Sequence, residues 1–569
     1  MKKIEVDVLV VGSGAGGLAS AVCSAHRGLK VVVAEKERVF GGTTARSGGW
    51  LWIPNNSLGK KAGFEDSLDK ARTYLKHEAG KHYDSARVEA FLEAGPKAVD
   101  FFEKETELQF DLGPTFADYH CTAPGGMDAG RSIVARPFNG RELGKEIKRL
   151  RPPLWEITML GMMIGSGKEL LHFFNVTKSP ISMFFVIGLV VKFFRDVIFH
   201  GRAMRLMNGN ALVARLAKSA FNKGVPIWTS SPVASLIRNE NQEVIGAVVN
   251  KPDGPVQVMT RKGVVLAAGG FPQDPVRRKQ LMPHAPSGHE HVSPAPPGNT
   301  GDGLRMAESV GGQVETEYPH AAAWVPISRP PAANGLQGTF PHFVDRSKPG
   351  IIAITRSGKR FVNEAQSYHD FCQAMIKRCQ EEGGVGAENA AWFIADHRTF
   401  RKYGIGYAKP SPVPYGNLIK KGYLIRGNTL QDLADQIGAD GAQLEKTVAE
   451  FNRYAVNGED PEFGKGSTAY NRSLGDPAHK PNPCVAPVKQ GPFYAVRLYV
   501  GDLGTFAGIK TNQDAQVIDA SGQPIKGLYA AGNDNASIMG GNYPGGGITL
   551  GPACTFGYIA ARHMAGANS

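Results

Sequence analysis

Val8-Leu-Val-Val-Gly-Ser-Gly-Ala-Gly-Gly-Leu18 is an apolar run that meets glycines at Gly12, Gly14 and Gly17 and continues in small and apolar residues to about Arg27. An apolar run bounded by glycine reads as a buried strand, and the segment after it as a helix. A second run, Lys30 to Ala34, ends in Glu35. Strand, G-x-G-x-x-G turn, helix, strand and acid stand in the order of a dinucleotide-binding unit. The glycines serve a tight turn, close approach to a pyrophosphate and helix packing, while the acid accepts the ribose hydroxyls. Gly12, Gly14, Ala15, Gly17, Glu35 and Lys36 are therefore assigned to the cofactor.

Immediately beyond lies Gly41-Gly-Thr-Thr-Ala-Arg-Ser-Gly-Gly49. A nicotinamide domain has no need of this second glycine and hydroxyl run, which suits the flavin end of FAD; Gly42, Thr43, Thr44, Ser47, Gly48 and Gly49 are its candidates. Two later strands meeting glycine, Val264–Gly270 and Gly527–Asn533, read as delivering backbone to the dinucleotide at Ala268, Gly269, Gly532 and Asn533. The expected cofactor is one non-covalent FAD. No second complete G-x-G-x-x-G unit is present, so bound NAD(P)H is not expected. Electrons should leave to an external acceptor, with a quinone as candidate.

At 569 residues the chain exceeds one ordinary core. The predicted fold class is α/β: a Rossmann-like FAD-binding domain with an inserted α+β substrate (capping) domain. The expected boundaries are 1–318 for the first part of the FAD domain, with an apolar insertion at 150–205, then 319–498 for the substrate domain and 499–569 for the second part. Helical spacing is expected over Ser85 to about Glu105, over Asn210 to Lys223 with Asn210 as cap, and near Tyr368 to Glu382 and Gly441 to Val456. Gly298 to Gly303 opens another helix. Pro226 to Val265, with Val244–Val249 clearest, suggests a small inserted sheet.

Six cysteines without a C-x-x-C pair exclude a zinc ribbon and a haem-attachment site, and fit reduced cytosolic thiols. No export signal is read in Met1–Asp7. His291, His320 and His342 lack metal-ligand spacing, so no metal is expected, and Arg277-Arg-Lys279 reads as a solvated face. A net charge of +13 and pI of about 9.3 point to an anionic surface; with no nucleic-acid module apparent, membrane is preferred.

Near the carboxy terminus, Gly540-Gly-Asn-Tyr-Pro-Gly-Gly-Gly-Ile-Thr-Leu-Gly551 leads into an apolar helix ending near Met564. Little side chain obstructs a flat ligand there, and the helix start favours negative charge. With these motifs the chain resembles, nearly end to end, the flavoproteins that include fumarate reductases and, more closely, 3-ketosteroid Δ1-dehydrogenases. Gly501-Asp-Leu-Gly-Thr505 and Tyr543-Pro-Gly-Gly-Gly547 look like the steroid branch. Fumarate reductases carry one arginine just after the Asn363-Glu364 element and another just before the late Gly-Gly-Asn element; this chain has Tyr368-His369-Asp370 and Ile538 instead. Losing both arginine forks removes the binding energy for a dicarboxylate.

The resemblance implies catalytic roles for Tyr119, Tyr368, Tyr543 and Gly547, and extends the cofactor contacts to Gly547 and Ile548. It implies introduction of a 1,2 double bond into a 3-ketosteroid. Tyr368, as phenolate, would take the proton alpha to the ketone, Tyr543 hydroxyl and Gly547 N–H would hold the ketone oxygen, and flavin N5 would accept the hydride. A phenol with a reference pKa of about 10 needs help to ionise, for which Tyr119 or His369 is available. Two other functions are weighed: reduction of an unsaturated acid, and a non-catalytic membrane-docked flavin protein.

Leu154–Ile164, with Trp155, and Ile181–Val191, followed by Lys192, Arg195, Arg202 and Arg205, are apolar patches beside basic residues. The second is far short of the roughly 20 residues that span a bilayer. A buried core helix and an interfacial anchor both fit. The expected location is cytoplasmic, peripheral on the inner face of the cell membrane.

Overall fold

The computed structural model describes residues 1–165, 169, 172, 173, 176, 179–331, 338–384 and 386–566. Strand β1 (Lys2–Val11) leads through the glycine turn into helix α1 (Ala15–His26) and strand β2 (Val31–Ala34), which pairs parallel with β1 from Val8↔Val31 to Val11↔Ala34. Side chains alternate across a strand, so Val8 and Val10 enter one core and Leu9 and Val11 another. A strand buried on both faces reads as an unbroken apolar run. The expected βαβ unit is present, with α1 and β2 within one residue of their expected bounds, whereas β1 begins at Lys2, six residues before the apolar run.

Strand β3 (Trp50–Trp52) follows the second glycine run and joins a three-stranded antiparallel sheet with Ser132–Ala135 and Phe110–Leu112. The expected helix over Ser85–Glu105 is found there, capped by Asp84. Helix α2 (Pro180–His200) carries the second apolar patch, and helix α3 (Asn208–Asn222) comes next. Asn210 does not cap α3: the cap position is Met207, and Asn210 lies inside the helix. Its buried side-chain amide donates instead to Ala45 O at 3.2 Å and Arg151 O at 2.7 Å, tying α3 to the second glycine run.

Strands β4 (Val244–Lys251) and β5 (Gly254–Leu266) form a hairpin that is no separate inserted sheet. The reason is the length of β1, which pairs with β5 from Lys2↔Val256 to Val11↔Leu266, with one register shift between Val6 and Val8. Hairpin and dinucleotide strands thus make one eight-stranded sheet. The turn after Gly298 opens the helix Asp302–Glu308.

Strand β6 (Ala322–Ser328), helix α4 (Tyr368–Gly383) and strand β7 (Phe493–Thr505) belong to the second large body of structure. Its six-stranded antiparallel sheet runs Phe340–Pro341, β6, β7, Ala391–Ala395, Ile351–Thr355, with Ile425–Gly427 also on β7, and α4 packs on β6. β7 crosses positions 498 and 499 without interruption, so one strand carries both the sheet and the Gly501–Thr505 motif. Strand β8 (Pro524–Ala530) returns to the first sheet, parallel to β5, and helix α5 (Leu550–Met564) packs on α1.

α2 lies on the surface: Ile181, Phe184, Val191, Phe194, Ile198 and Phe199 are exposed, while Val186 and Asp196 point inward. Trp155 and Leu160 of the first patch are exposed as well. Among the described residues no helix is long and apolar enough to cross a membrane. The expected solvated face at 277–279 is only partly so. Arg278 is buried and donates to Gly288 O, His291 O, Pro272 O and Gln273 Oε1.

Candidate active site

A cleft opens where β1, α1, β5 and β8 meet. Gly12, Gly14, Ala15, Glu35 and Lys36 line it from the first unit, Gly42, Thr43, Thr44 and Ser47 from the second glycine run, and Ala268, Gly269, Gly532 and Asn533 from the later strands. Gly17, Gly48, Gly49, Gly547 and Ile548 are not among its lining. A Cβ at Gly17 would stand 2.1 Å from Gly12 O, so this glycine serves helix packing. Gly48 lies beside the Trp50 ring and Gly49 against the backbone of Asn208.

Glu35 Oε2 accepts from Ser13 N at 3.2 Å and Ser13 Oγ at 2.5 Å, and Oε1 accepts from Glu37 N at 2.9 Å. Burial pushes its pKa up against these bonds. Lys36 Nζ is engaged with Thr300 and Asp302. Sequence reasoning missed Arg151 and Asn299 in the lining. Asn299 Nδ2 donates to Thr43 Oγ1 at 3.0 Å and Gly269 O at 3.1 Å. The buried Arg151 is 3.8 Å from Glu37, too far for a hydrogen bond, and among the described residues its Nε and Nη2 have no hydrogen-bond partner. Orphaned donors beside bare backbone fit a dinucleotide, whose oxygens supply acceptors. Arg151 lies in no motif, and Asn299, within the Gly298–Gly303 turn, reads there only as part of a helix opening.

The tyrosines come together from three distant segments. Tyr119 Oη donates to Tyr368 Oη at 2.9 Å, and the Tyr543 ring stacks on Tyr119 at 5.4 Å and meets Tyr368 edge-on at 4.9 Å. Tyr368 opens α4, where Ser367 caps the helix, and a helix start favours negative charge. Tyr119 N and Tyr74 Oη both donate to Pro544 O, at 2.9 and 2.7 Å, pinning the Tyr543 turn. Asp118 holds the Tyr119 loop from behind, accepting from Trp52 Nε1 at 2.7 Å, Met127 N at 3.0 Å and Arg131 Nη1 at 2.7 Å. Gly547 (φ +105°) is pressed onto β3; a Cβ there would stand 2.6 Å from the Trp50 and Leu51 carbonyl carbons, so no other residue fits.

All three phenols are buried. Burial pushes Tyr119 and Tyr368 well above the ordinary range and Tyr543 up to about 12. His369 is no source of positive charge. Burial pulls its pKa down to about 3, and its Nδ1 accepts from Trp324 N at 3.0 Å, which leaves it neutral. Asp370 bonds His120 at 2.6 Å, and Glu78 bonds the other ring nitrogen at 2.8 Å; against burial, these carboxylates raise His120 to about 10. His291 and His342 are buried against Asp502 and Asp345.

The profile of the FAD binding domain family matches residues 7–550. The chain belongs to that family. It is similar to the 4-oxocyclohex-2-ene-1-carboxylate 5-dehydrogenase of Sinomonas cyclohexanicum, at 44% identity over 99% of this chain and 94% of the relative. It is also similar to the 3-oxosteroid 1-dehydrogenase of Mycobacterium tuberculosis, at 36% identity over 99% and 98%. Among solved structures, the 3-ketosteroid delta1-dehydrogenase from Sterolibacterium denitrificans, in complex with 1,4-androstadiene-3,17-dione, matches with a TM-score of 0.90 and 36% identity, over 99% of this chain and all of that one. This chain is accordingly an FAD-dependent oxidoreductase acting on CH–CH groups.

Glu35 is the lining acid at the end of β2, so Glu35→Ala is expected to weaken FAD retention while the fold survives. Equilibrium dialysis of FAD against the variant measures this; an unchanged affinity removes Glu35 from the cofactor site.

Proposed function

We propose that this enzyme desaturates a six-membered ring ketone at the bond between the carbons alpha and beta to the carbonyl. The first substrate we assign is a 3-ketosteroid, giving the 1,2 double bond. The observation that carries the reading is the 2.9 Å hydrogen bond between the Tyr119 and Tyr368 hydroxyls, with both rings against that of Tyr543, in a site walled by aromatic side chains. A proton alpha to a ketone leaves only if the oxygen is stabilised as charge develops. The Tyr543 hydroxyl and the Gly547 N–H hold that oxygen, and Tyr368 takes the proton. Bound FAD, held non-covalently, supplies the acceptor for the hydride lost from the beta carbon.

A second substrate reading is an oxocyclohexene carboxylate, favoured by the 44% identity to a dehydrogenase of that compound. It shares with ring A of a 3-ketosteroid the six-membered ring ketone, so the chemistry is common and the side of the pocket away from the ketone decides. Reduction of an unsaturated diacid is disfavoured by Ile538, buried where an arginine fork would be needed.

The role assignments separate two failures. Tyr368→Phe and Tyr543→Phe should each retain FAD yet slow flavin reduction by roughly 10² or more, as lost acid–base or oxyanion groups do. Exchange of deuterium into the alpha carbon should vanish in Tyr368→Phe. Near-normal reduction in Tyr543→Phe would remove it from the oxygen site.

We also propose that α2 docks on a membrane of anionic lipid, with a quinone as electron acceptor. Exposed Phe184, Phe194, Ile198 and Phe199 beside Lys192 and Arg195 support it, and a lipid-soluble ketone would reach the site by a shorter path. Co-sedimentation with anionic vesicles at low salt should be strong, weakened by added salt, and lost in Phe184→Ser/Ile198→Ser/Phe199→Ser with FAD retained. Protein that stays wholly in the supernatant contradicts the docking. Val186 is unsuited to this test because it faces the core.

A further inference from the structure

A buried phenol is a poor base, and the groups around Tyr368 sharpen the difficulty. Tyr119 and Tyr543 crowd its ring, and both raise its pKa. His369 and His320 are held toward the neutral form by burial, while Asp370 and Glu78 are taken up by His120. Arg346 is different: it is fully buried, with its guanidinium carbon 5.7 Å from the centre of the Tyr368 ring.

The partners of Arg346 are neutral. Nη1 donates to Glu364 O at 2.8 Å and to Gln366 O, Nη2 donates to Tyr470 Oη at 2.9 Å, and Nε has no partner. Among the described residues no carboxylate oxygen pairs with it; neighbouring Asp345 is bonded to His342 at 2.6 Å and Gly406 N at 2.8 Å. A buried cation without a counter-ion is costly, and such a group beside a reactive cluster is a functional candidate.

Arginine only donates, and a phenol has one proton to give. The Tyr470 oxygen therefore accepts from Arg346, and the Tyr470 ring lies against that of Tyr119, their centroids 4.4 Å apart. Tyr119 in turn donates to Tyr368. The Arg346 charge and the Tyr119 proton thus both face the tyrosine that must carry negative charge. The positive charge also acts downward on the pKa of Tyr470 and Tyr119, against their burial.

We propose that Arg346 is a positioning residue for the dehydrogenation: held by Tyr470 beside the hydrogen-bonded Tyr119–Tyr368 pair, its buried charge holds Tyr368 as phenolate. The proposal rests on the reading of Tyr368 as base. In the step itself the alpha C–H bond breaks, the Tyr368 O–H bond forms, and the C–H electron pair passes into the enolate. Arg346 keeps all its protons, so it is a holding charge and not a proton exit.

The test is the pH dependence of anaerobic flavin reduction by a 3-ketosteroid and by 4-oxocyclohex-2-ene-1-carboxylate, with the FAD-loaded enzyme and its variants. Arg346→Gln and Tyr470→Phe should each move the acid limb up by about one pH unit or more, a roughly tenfold loss on that limb recovered at higher pH. Arg346→Lys should restore part of the shift, and Arg346→Gln/Tyr470→Phe should go no further than either alone. FAD content and KM should hold. If rates fall equally at every pH, or FAD is lost with the limb unmoved, Arg346 is merely structural and the inference fails. Should Arg346→Gln not fold, Tyr470→Phe, which removes one oxygen atom, decides alone. Tyr368→Phe separates the two claims: alpha-carbon exchange surviving in it overturns the base itself, whereas exchange lost in it with unmoved limbs in the other variants overturns only the role of Arg346.

Discussion

The two ends of the chain are locked together by backbone contacts that only glycine allows. A Cβ on Gly16 would stand 2.7 Å from Gly532 N, and one on Gly557 would stand 2.7 Å from Gly16 O. Helix α1 is thereby pressed between the end of β8 and helix α5. This fixes the Gly540–Gly551 turn against residues 1–52, where Trp52 N donates to Gly547 O at 3.0 Å. Cofactor cleft and tyrosine cluster share this frame, so a displacement of α1 would move both.

The second constraint is electrostatic. Four tyrosines, at 119, 368, 470 and 543, are buried together, and burial raises the cost of charge on every one. Such a site works only if charge is compensated where it develops. In the proposed reaction Tyr543 with Gly547 answers this for the ketone oxygen, and the buried charge of Arg346 answers it for the base.

Much of this was legible in the sequence because motifs encode local geometry. The βαβ unit, the second glycine run and the strands at Ala268 and Gly532 announce themselves by apolar runs meeting glycine. Tyr368 and Tyr543 were legible through the resemblance of their flanking residues. Arg151, Asn299, Arg346 and Tyr470 were not, since each acts through a contact with residues far away in the chain. His369 looked useful beside Tyr368 because adjacency in sequence says nothing of its bond to the Trp324 backbone. The β4–β5 hairpin looked separate because the reach of β1 to Lys2 is a matter of pairing, and Asn210 looked like a cap because its partners lie on other segments.

The central claim is that a ring ketone delivers two electrons to this site. Anaerobic mixing of the oxidised enzyme with a 3-ketosteroid, with 4-oxocyclohex-2-ene-1-carboxylate and with succinate, while following flavin absorbance, tests it most directly. Bleaching by at least one ring ketone and none by succinate is the predicted result. Bleaching by succinate with both ketones inert would contradict the account.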